Sequence, residues 1–481
     1  MKRRNALLVG AVSLLLLLSV FAASASAASS KTVKPLAKNI IILMADGQGY
    51  NHFLVGDYYQ YGAAGTQVYE EYPVQVGVST FCYSGWYDPL AAWTDFGFLK
   101  IWGVPPTTES DMAATAMATG YKNDGGIGVD HTGASVPNIM EYAEDKGKST
   151  GVVSTVQFNH ATPAGFVAHN ISRDNYGAIA DEMILSSATD VIMGAGNPWY
   201  NDSGVLQATA KYTYVPKATW DALVAGTAGG DADGDSDTDA WTLIQERSAF
   251  QALMSGDTPD RVIGLPQVFT ATQQKRGGST TADPYVVPFN ANVPTLAEMT
   301  KAALNVLDKD PQGFVVMIEG GDNDGAAHSK DKQRGRLIEE LADFNAAVQA
   351  ANDWVKANSN WGETLLIVTA DHDTGGIWGP DSGIGTPQTP GDPAVWRPVV
   401  NNGAGVVPGF DWYAAHRYAT PTDPRLDQDF WHTNMLVPLW AKGDAARTFR
   451  SFAATDVVRG PYVDNTDIFK VMYRALGFSL N

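Results

Sequence analysis

Several short stretches of the chain are apolar at nearly every position rather than at every second one. Asn39 to Ala45 reads NIIILMA, and comparable runs occupy Thr150 to Val156, Phe314 to Ile318, Thr364 to Thr369 and Met435 to Ala441. A strand with such continuous hydrophobicity is buried on both faces, which is typical of a parallel sheet covered by helices. The runs therefore predict the central strands of an α/β fold.

Segments of helical length and composition separate the predicted strands. They are Asp111 to Thr119, Pro137 to Lys146, Thr295 to Leu307, Lys332 to Lys356 and Asp467 to Leu476. This alternation is the pattern of a sheet sandwiched between helices. Two stretches, residues 197–290 and 379–430, are instead rich in Gly, Pro, Asp, Trp and Tyr, and we interpret them as insertions on a single domain that spans residues 28–481.

The N-terminus differs in character from the rest of the chain. Lys2, Arg3 and Arg4 precede an apolar run centred on residues 14–18, and small residues end the segment at Ala27. This pattern predicts a cleaved secretory signal peptide over residues 1–27 and a secreted or periplasmic protein. The alternative, an uncleaved anchor, needs an apolar run of roughly 20 residues, and this one is short. No later segment is apolar enough to span a membrane.

Composition excludes several classes of function. The 481 residues include 52 Asp and Glu against 33 Lys and Arg, a net charge of −19, so a basic surface for nucleic acid is absent. The chain is 44% hydrophobic and has one cysteine, which excludes a disordered chain and a disulfide scaffold. We interpret that cysteine, Cys82, as a packed hydrophobic residue rather than a nucleophile. An acidic chain of this kind is suited to binding cations.

Acidic residues and histidines follow three of the predicted strands, where open α/β sheets bind their ligands. Asp46 lies in a Gly-rich turn, Glu319 to His328 reads EGGDNDGAAH, and Asp371 is followed directly by His372. His432 lies in a fourth segment, Trp-His-Thr-Asn. Each motif alone is compatible with a turn or a satisfied structural pair. Together they supply enough oxygen and nitrogen ligands for two divalent cations, and the imidazoles favour zinc.

Ser110 and Arg173 are further candidates for catalysis and for phosphate binding. Ser110 begins a run of small, helix-compatible residues that ends at Gly120. It is therefore either an N-cap, a nucleophile whose phosphorylated form the helix N-terminus stabilises, or both. Arg173 and Thr162 follow the strand that ends near Val156. Arg173 presents a planar fork suited to two phosphate oxygens, or it forms a surface salt bridge with neighbouring acids.

A separate acidic segment carries a carboxylate at alternate positions around Gly234. The residues are Asp231, Asp233, Asp235, Asp237 and Asp239. Such oxygen ligands suit calcium, although the spacing lacks the closing Glu of an EF-hand because Thr242 stands at the twelfth position. A solvated acidic turn is the alternative interpretation.

These blocks, in this order, resemble the alkaline phosphatase family over nearly the whole mature chain. The resemblance implies a three-layer α/β/α sandwich with a large, mostly parallel sheet, and hydrolysis of phosphate monoesters. It implies a two-zinc site and a third site, usually for magnesium. By matching position, one zinc would be held by Asp324, His328 and His432, the second zinc by Asp46, Asp371 and His372, and the magnesium by Asp46, Thr162 and Glu319.

The same resemblance assigns roles in catalysis and recognition. Ser110 would be the nucleophile and form a phosphoserine, and Arg173 would bind the non-bridging phosphate oxygens. Small phosphate monoesters would be the substrates, and family habit implies a homodimer. Alternative activities are those of the superfamily's phosphodiesterases and sulfatases, although Ser110 lies in no sulfatase-like Cys-x-Pro-x-Arg segment. A non-catalytic, calcium-dependent binding protein on a decayed scaffold is a further alternative, but every expected ligand is present.

Four positions depart from the family pattern. Glu109 and Asp111 flank the serine, and we expect Asp111 to point outward as a first-turn acid that suits the helix dipole. His160 and Gly325 stand where the best-known bacterial type has Asp and Lys. His160 is like the animal and cold-active forms and is a candidate outer or direct ligand of the third metal. Gly325 has no side chain, so we expect weaker phosphate binding there.

Overall fold

The computed structural model describes residues 34–95, 98, 106–232, 237–329, 331–382, 395–414 and 430–480. The predicted signal peptide, residues 1–27, lies outside the described residues. The strands in chain order are β1 (Asn39–Ala45), β2 (Val74–Ser79), β3 (Ser149–Gln157), β4 (Val191–Ala195), β5 (Gly229–Gly230), β6 (Asp239–Ala240), β7 (Thr242–Ile244), β8 (Val262–Gly264), β9 (Phe314–Gly320), β10 (Thr364–Thr369), β11 (Asp373–Thr374), β12 (Ile377–Trp378), β13 (Asp411–Trp412), β14 (His432–Thr433), β15 (Val437–Lys442), β16 (Ala454–Asp456) and β17 (Gly460–Asp464).

Helices connect most of these strands. They are α1 (Tyr50–Tyr61), α2 (Ala91–Thr94), α3 (Ser110–Thr119), α4 (Ile139–Glu144), α5 (Ala161–Gly165), α6 (Tyr176–Leu185), α7 (Lys217–Val224), α8 (Arg247–Ala252), α9 (Leu296–Leu307), α10 (Asp322–His328), α11 (Arg334–Asn358) and α12 (Asn465–Ala475). Two 3-10 helices, Val68–Glu71 and Asp444–Ser451, complete the described secondary structure. No helix in the described part of the chain is long and apolar enough to cross a membrane.

Eleven strands form one mixed sheet in the order β16-β17-β2-β15-β10-β1-β9-β3-β4-β8-β7. The seven strands from β10 to β7 pair in parallel, as the continuous apolar runs predict. On the other side of β10, β15 pairs antiparallel with both β10 and β2. The predicted α/β architecture is therefore confirmed.

Successive residues of β1 face opposite sides of the sheet, and both sides are apolar, which explains the continuous apolar run in its sequence. Ile40, Ile42 and Met44 pack into one apolar cluster, which α3, α4 and α12 help to form. Ile41 and Leu43 face the opposite cluster, to which α9 and α11 contribute. Both faces of the sheet are covered by helices, so each residue of β1 is buried. The result is the three-layer α/β/α sandwich that the family resemblance implies.

The predicted insertion at 197–290 is only partly an excursion. It contributes β7 and β8, which extend the main sheet beyond β4. Each of these strands has three residues and β7 is only partly buried, so neither produces a long apolar run. Much of the other predicted insertion, residues 383–394 and 415–429, lies outside the described residues. Cys82 is buried, and burial raises the pKa of its thiol, in agreement with the packing role expected of it.

Candidate active site

Three adjacent strands deliver acidic residues to the same edge of the sheet. β1 pairs in parallel with β9 and β10, and the register places Met44 beside both Glu319 and Thr369. Asp46 follows β1 and Asp371 follows β10, while Glu319 lies near the end of β9. Because parallel strands end together, carboxylates more than 320 positions apart in sequence meet at one place.

The turn after β1 depends on a glycine. Gly47 has φ of +72°, and a Cβ there would lie 2.7 Å from both Asp324 Oδ1 and Thr374 Oγ1. A side chain would therefore be strained by the backbone and would push Asp324 away. The backbone N–H of Gly47 also donates to Asp371 Oδ1 at 2.9 Å. The turn after β1 thus lies against Asp371, which follows β10, and against Asp324, on the helix that follows β9.

Asp324, His328 and His432 form the first group of metal-compatible donors, whose candidate ligand atoms all lie within 4.8 Å of one another. α10 places Asp324 and His328 one turn apart, and His328 Nε2 lies 3.1 Å from Asp324 Oδ2. His432, on β14, brings its Nε2 to 3.7 Å from Asp324 Oδ1.

Backbone carbonyls fix the orientation of both imidazoles in this group. His328 Nδ1 donates to the Phe430 carbonyl at 2.5 Å, and His432 Nδ1 donates to the Thr108 carbonyl at 2.7 Å. The two Nε2 atoms lie only 3.0 Å apart, so a proton must lie between them unless both carry lone pairs. Against the effect of burial, the charge of Glu109 and the contact with Asp324 raise the pKa of His432 to about 9 and so favour that proton. A cation between them would relieve that contact. Outer hydrogen bonds of this kind are what orient metal-binding histidines.

The second donor group consists of Asp46, Asp371 and His372, all fully buried. His372 Nε2 lies 3.1 Å from Asp371 Oδ2 and 3.5 Å from Asp46 Oδ1. Its Nδ1 lies 3.2 Å from the Thr374 hydroxyl, which in turn donates to Asp324 Oδ1 at 2.6 Å. The His372 and His432 rings stack with their centroids 3.7 Å apart, so the first and second groups adjoin.

Asp46, His160 and Glu319 form the third group. Asp46 therefore belongs to two groups at once. Burial raises the pKa of Glu319, and the nearby hydroxyls of Ser154 and Thr162 partly oppose this shift, so Thr162 lies close to this group. Thr162 Oγ1 is itself buried without a hydrogen-bond partner in the described part of the chain. The structure thus brings together every metal-ligand candidate of the main site.

Ser110 lies beside the second group. It is the first residue of α3, with Glu109 at the N-cap position and no side-chain capping bond there. The interpretation of Ser110 as the N-cap residue is therefore wrong by one position. Its Oγ lies 3.2 Å from His372 Nε2, and the residue is buried. The hydroxyl faces the donor cluster from the positive end of a ten-residue helix.

Arg173 also reaches this region. Its Nη2 donates to His160 Nε2 at 3.0 Å, and its Nη1 lies 3.8 Å from Asp111 Oδ1 and 4.0 Å from Glu109 Oε2. The expectation that Asp111 points outward is wrong. Its carboxylate is buried and accepts a hydrogen bond from the Gly126 N–H at 2.9 Å, so tertiary contacts outweigh the helix-dipole preference for an exposed acid. The surface-salt-bridge interpretation of Arg173 is thereby partly correct, since both flanking acids are near it.

The buried carboxylates of the site need positive charge to compensate them. Burial, followed by the charges of Asp371 and Asp324, raises the pKa of Asp46 well above its usual range. Burial likewise raises the pKa of Glu319 to about 7 and that of Asp371 to about 6. For Asp324 the effect of burial is overcome by the imidazoles of His328 and His432, which hold its pKa well below the usual range. Several carboxylates packed together without solvent are costly unless positive charge compensates them.

The hydrogen bonding supports the same conclusion. Both carboxylate oxygens of Asp46, together with Asp371 Oδ2 and Glu319 Oε1, are buried without a hydrogen-bond partner in the described part of the chain. Buried carboxylate oxygens normally have partners. Mixed imidazole and carboxylate donors suit zinc in the first two groups, and the oxygen-rich third group suits magnesium. The residues present therefore fit the metals that the family resemblance implies.

Sequence reasoning left two supporting side chains without a role. Thr374 links Asp324 to His372, and Ser154 donates to Glu319 Oε2 from the neighbouring strand. Thr374 follows Asp371 by only three residues, and this proximity could have predicted its place in the site. Ser154 interrupts the apolar run of β3 directly beside Glu319, and strand register would have paired them.

The predicted calcium loop lies apart from these donor groups. Asp233 and Asp235 fall outside the described residues, while Asp231 and Asp237 belong to none of the three groups in the described ranges. Asp239 Oδ2 accepts a hydrogen bond from the Ala232 N–H at 2.7 Å, a contact within the segment that joins β5 and β6. Calcium binding here stays a prediction.

Comparison with known proteins identifies alkaline phosphatases among the relatives of this chain. Residues 37–397 match the family model of alkaline phosphatase. The chain is 31% identical over 360 residues to alkaline phosphatase H of Pseudomonas aeruginosa, covering 70% of each protein. It is 28% identical over 510 aligned positions to the streptomycin-6-phosphate phosphatase of Streptomyces griseus, covering 99% of this chain and 97% of that protein.

The fold has solved counterparts as well. One is a mutant of the alkaline phosphatase from the Antarctic bacterium TAB5, described with magnesium bound in its M3 site. The TM-score is 0.58 at 21% identity, and the alignment covers 94% of this chain and all of that one. This similarity concerns the fold.

Proposed function

Because the chain belongs to the alkaline phosphatase family, we propose that it hydrolyses phosphate monoesters to an alcohol and inorganic phosphate, with Ser110 as the nucleophile. One observation carries the proposal. Three groups of metal-compatible donors adjoin at one edge of the sheet, and two of them share Asp46. The Ser110 hydroxyl lies 3.2 Å from His372 Nε2, a member of the second group.

The metals are assigned to the three groups in turn. Asp324, His328 and His432 would hold one zinc. Asp46, Asp371 and His372 would hold the second zinc. Asp46, Thr162 and Glu319 would hold magnesium, with His160 as a candidate additional ligand. When bound, these ions would supply Lewis-acid polarisation of the phosphoryl group and of its entering and leaving oxygens.

The side chains of the protein account for the remaining requirements. Ser110 Oγ, once deprotonated, attacks phosphorus; the bond between Oγ and phosphorus forms as the ester bond breaks, and the departing alkoxide takes up a proton. Water then cleaves the phosphoserine, which restores the hydroxyl and releases inorganic phosphate. The N-terminus of α3 stabilises the phosphorylated serine, and Arg173 donates to the non-bridging oxygens.

Monoesters fit this site better than diesters. The Arg173 side chain is about three-quarters buried, 24% of it being exposed, and its charge lies close enough to the donor cluster to contribute to the low pKa of His372. A guanidinium so placed favours a terminal phosphoryl group with free oxygens. The Streptomyces griseus relative, which aligns with nearly the whole chain, is named for a phosphorylated small molecule, in keeping with a small monoester as substrate.

We also propose that residues 1–27 direct the protein out of the cytoplasm and are removed, and that the mature chain forms a homodimer. Calcium binding at Asp231–Asp239 belongs with these proposals. Loss of thermal stability in a calcium-selective chelator, with zinc and magnesium saturating, would support it.

The test of the main activity compares an aryl phosphate, an aryl sulfate and a bis-aryl phosphate as substrates of the metal-loaded protein. We expect the monoester to be hydrolysed fastest, and we expect Ser110→Ala to lose at least 1,000-fold in kcat, in line with other nucleophile deletions (roughly 10³ to 10⁶). Ser451→Ala, at an exposed position, is the matched control. Preference for the diester or sulfate, or full activity in Ser110→Ala, would overturn the proposal.

A further inference from the structure

Arg173 lies in the segment that joins α5 to α6, residues 166–175, which are all described and form neither a helix nor a strand. α5 carries Thr162, a candidate metal ligand, so one short stretch of chain serves both the third donor group and phosphate recognition. A loop holds a guanidinium in one orientation only where contacts from other elements fix its backbone. In this segment those contacts converge on His169 and Asn170.

The His169 side chain is anchored at both ring nitrogens. Its Nδ1 donates to Glu182 Oε1 at 3.0 Å, and the His169 backbone N–H donates to the same oxygen at 2.9 Å. Its Nε2 lies 3.1 Å from the Val136 carbonyl oxygen and 3.6 Å from Glu141 Oε2. Carbonyl and carboxylate oxygens accept hydrogen bonds and do not donate them, so both ring nitrogens carry a proton and the ring is an imidazolium. The carboxylates of Glu141 and Glu182 favour this form, since they raise the pKa of His169 to about 10.

Asn170, the residue after His169, connects this anchor to Arg173. Its backbone pairs with that of Ile127 in both directions, through N–H to carbonyl hydrogen bonds of 2.8 and 2.7 Å. Its side-chain Oδ1 accepts a hydrogen bond at 3.2 Å from the N–H of Ser172, which directly precedes Arg173. The backbone before Arg173 is therefore tied to the anchored residues.

The partner of Asn170 also leads back to Arg173. Gly126, next to Ile127, donates from its N–H to Asp111 Oδ2 at 2.9 Å, and Asp111 Oδ1 lies 3.8 Å from Arg173 Nη1. A displacement of residues 169–170 would consequently disturb both the backbone before Arg173 and a side chain that faces its guanidinium.

We propose that His169 is a positioning residue for phosphate binding: its charged ring fixes the segment that carries Arg173, so that the guanidinium meets the phosphoryl group in one orientation. His169 acts through Arg173 and not by contact with the substrate. Two charged groups face the ring, Glu141 from α4 and Glu182 from α6, and both stabilise its protonated form. The contribution is therefore lost as pH rises through about 10. The inference rests on the proposed phosphatase function, because that function gives Arg173 its role.

The experiment measures binding of inorganic phosphate to the zinc- and magnesium-loaded full chain by titration calorimetry, so it does not depend on turnover. At about pH 8 we expect His169→Gln to raise the Kd about fivefold, equivalent to roughly 1 kcal/mol, because phosphate must then order the segment itself. In an Arg173→Ala background the same substitution should change the Kd by less than about twofold, because the residue through which it acts is gone. His131→Gln, at an exposed histidine that stacks on Tyr83, is the matched control and should have no effect.

The dependence of this effect on pH separates positioning by a charged ring from a general loss of packing. The ratio of the Kd of His169→Gln to that of the original protein should fall from about five at pH 8 towards one at about pH 11, where the ring of the original protein has also lost its proton.

An unchanged Kd in His169→Gln would overturn the inference, as would an equal rise in His131→Gln or a rise that persists in full in the Arg173→Ala background. A Kd ratio that is the same at both pH values would also overturn it, because the charge of the ring would then have no part. Melting curves show whether each variant is folded. Should His169→Gln not fold, Glu182→Gln removes the charge that faces Nδ1, and an unchanged Kd in that variant would refute the inference. Failure of the proposed function has a different signature, namely absence of monoester hydrolysis by the unaltered protein.

Discussion

Asp46→Asn should change the stability of the protein in opposite directions with and without metal. Asp46 is fully buried, and a ligand oxygen of its carboxylate lies within 4.8 Å of one from Asp371. Two unit charges about 5 Å apart repel by roughly 3 kcal/mol at an effective dielectric constant of about 20. Burial and its acidic neighbours raise the pKa of Asp46 in the folded protein. Ionised Asp46 therefore destabilises the fold increasingly as pH rises above about 4, the pKa of this carboxyl in the unfolded chain.

In chelator at pH 8, removal of this charge should therefore increase the free energy of unfolding by about 1 to 3 kcal/mol, after allowance for screening. With zinc and magnesium present, the same substitution removes a ligand shared by two donor groups. Binding at 100 times Kd stabilises a protein by about 2.7 kcal/mol per site, so the variant should then be less stable than the original by at least about 2 kcal/mol.

Denaturant titration followed by tryptophan fluorescence measures both conditions, since the chain contains 13 tryptophans. Asp57→Asn is the matched control. Asp57 is a buried acid on α1, away from the donor groups. Burial and the charge of Glu70 raise its pKa to about 7. Its substitution should have the same effect with and without metal. Destabilisation of Asp46→Asn by equal amounts in both conditions would refute the electrostatic reasoning.

Three further substitutions test separate contacts. Arg173→Lys should lower kcat/KM for an aryl phosphate by roughly tenfold or more, because the planar fork is lost; an unchanged value would count against phosphate recognition by Arg173. Asp111→Asn should lower the Kd of inorganic phosphate several-fold in calorimetry, since a carboxylate 3.8 Å from that guanidinium competes with the ligand; a higher Kd would contradict this. Two carboxylates raise the pKa of His169 to about 10: Glu141, 3.6 Å from Nε2, and Glu182, which accepts a hydrogen bond from Nδ1 at 3.0 Å. This stabilisation is complete below about pH 6.5 and lost as pH rises to about 10. His169→Gln should therefore cost about 1 to 2 kcal/mol in urea titrations at pH 6 and almost nothing at pH 10, and equal losses at both would disprove the assignment.

The central strands could be predicted because burial on both faces leaves a local trace. Every residue of β1, β9 and β10 is buried, so each strand contains a continuous apolar run, which in β9 ends before Glu319. The edge strand β7 and its neighbour β8 have three residues each and rely on pairing with adjacent strands. Nothing within so short a segment separates a strand from a loop.

The positions of the metal-ligand candidates could also be predicted, because parallel strands carry them to one edge. The contacts among polar residues from distant segments could not. Asp111 conforms to the local pattern of a helix N-terminus, yet Arg173 and Gly126 draw it inward. Likewise, Ala271 belongs to a loop-rich stretch, and its bridge to Val156 is what places that stretch beside the end of β3.

The central claim is that side chains from distant segments form one metal cluster beside Ser110. Anomalous diffraction at the zinc absorption edge, from crystals of the zinc-loaded protein, tests it most directly. The account predicts two zinc peaks, one among Asp324, His328 and His432 and one among Asp46, Asp371 and His372, each about 2 Å from its ligand atoms. Absence of zinc from both groups in a protein that hydrolyses phosphate monoesters would contradict it.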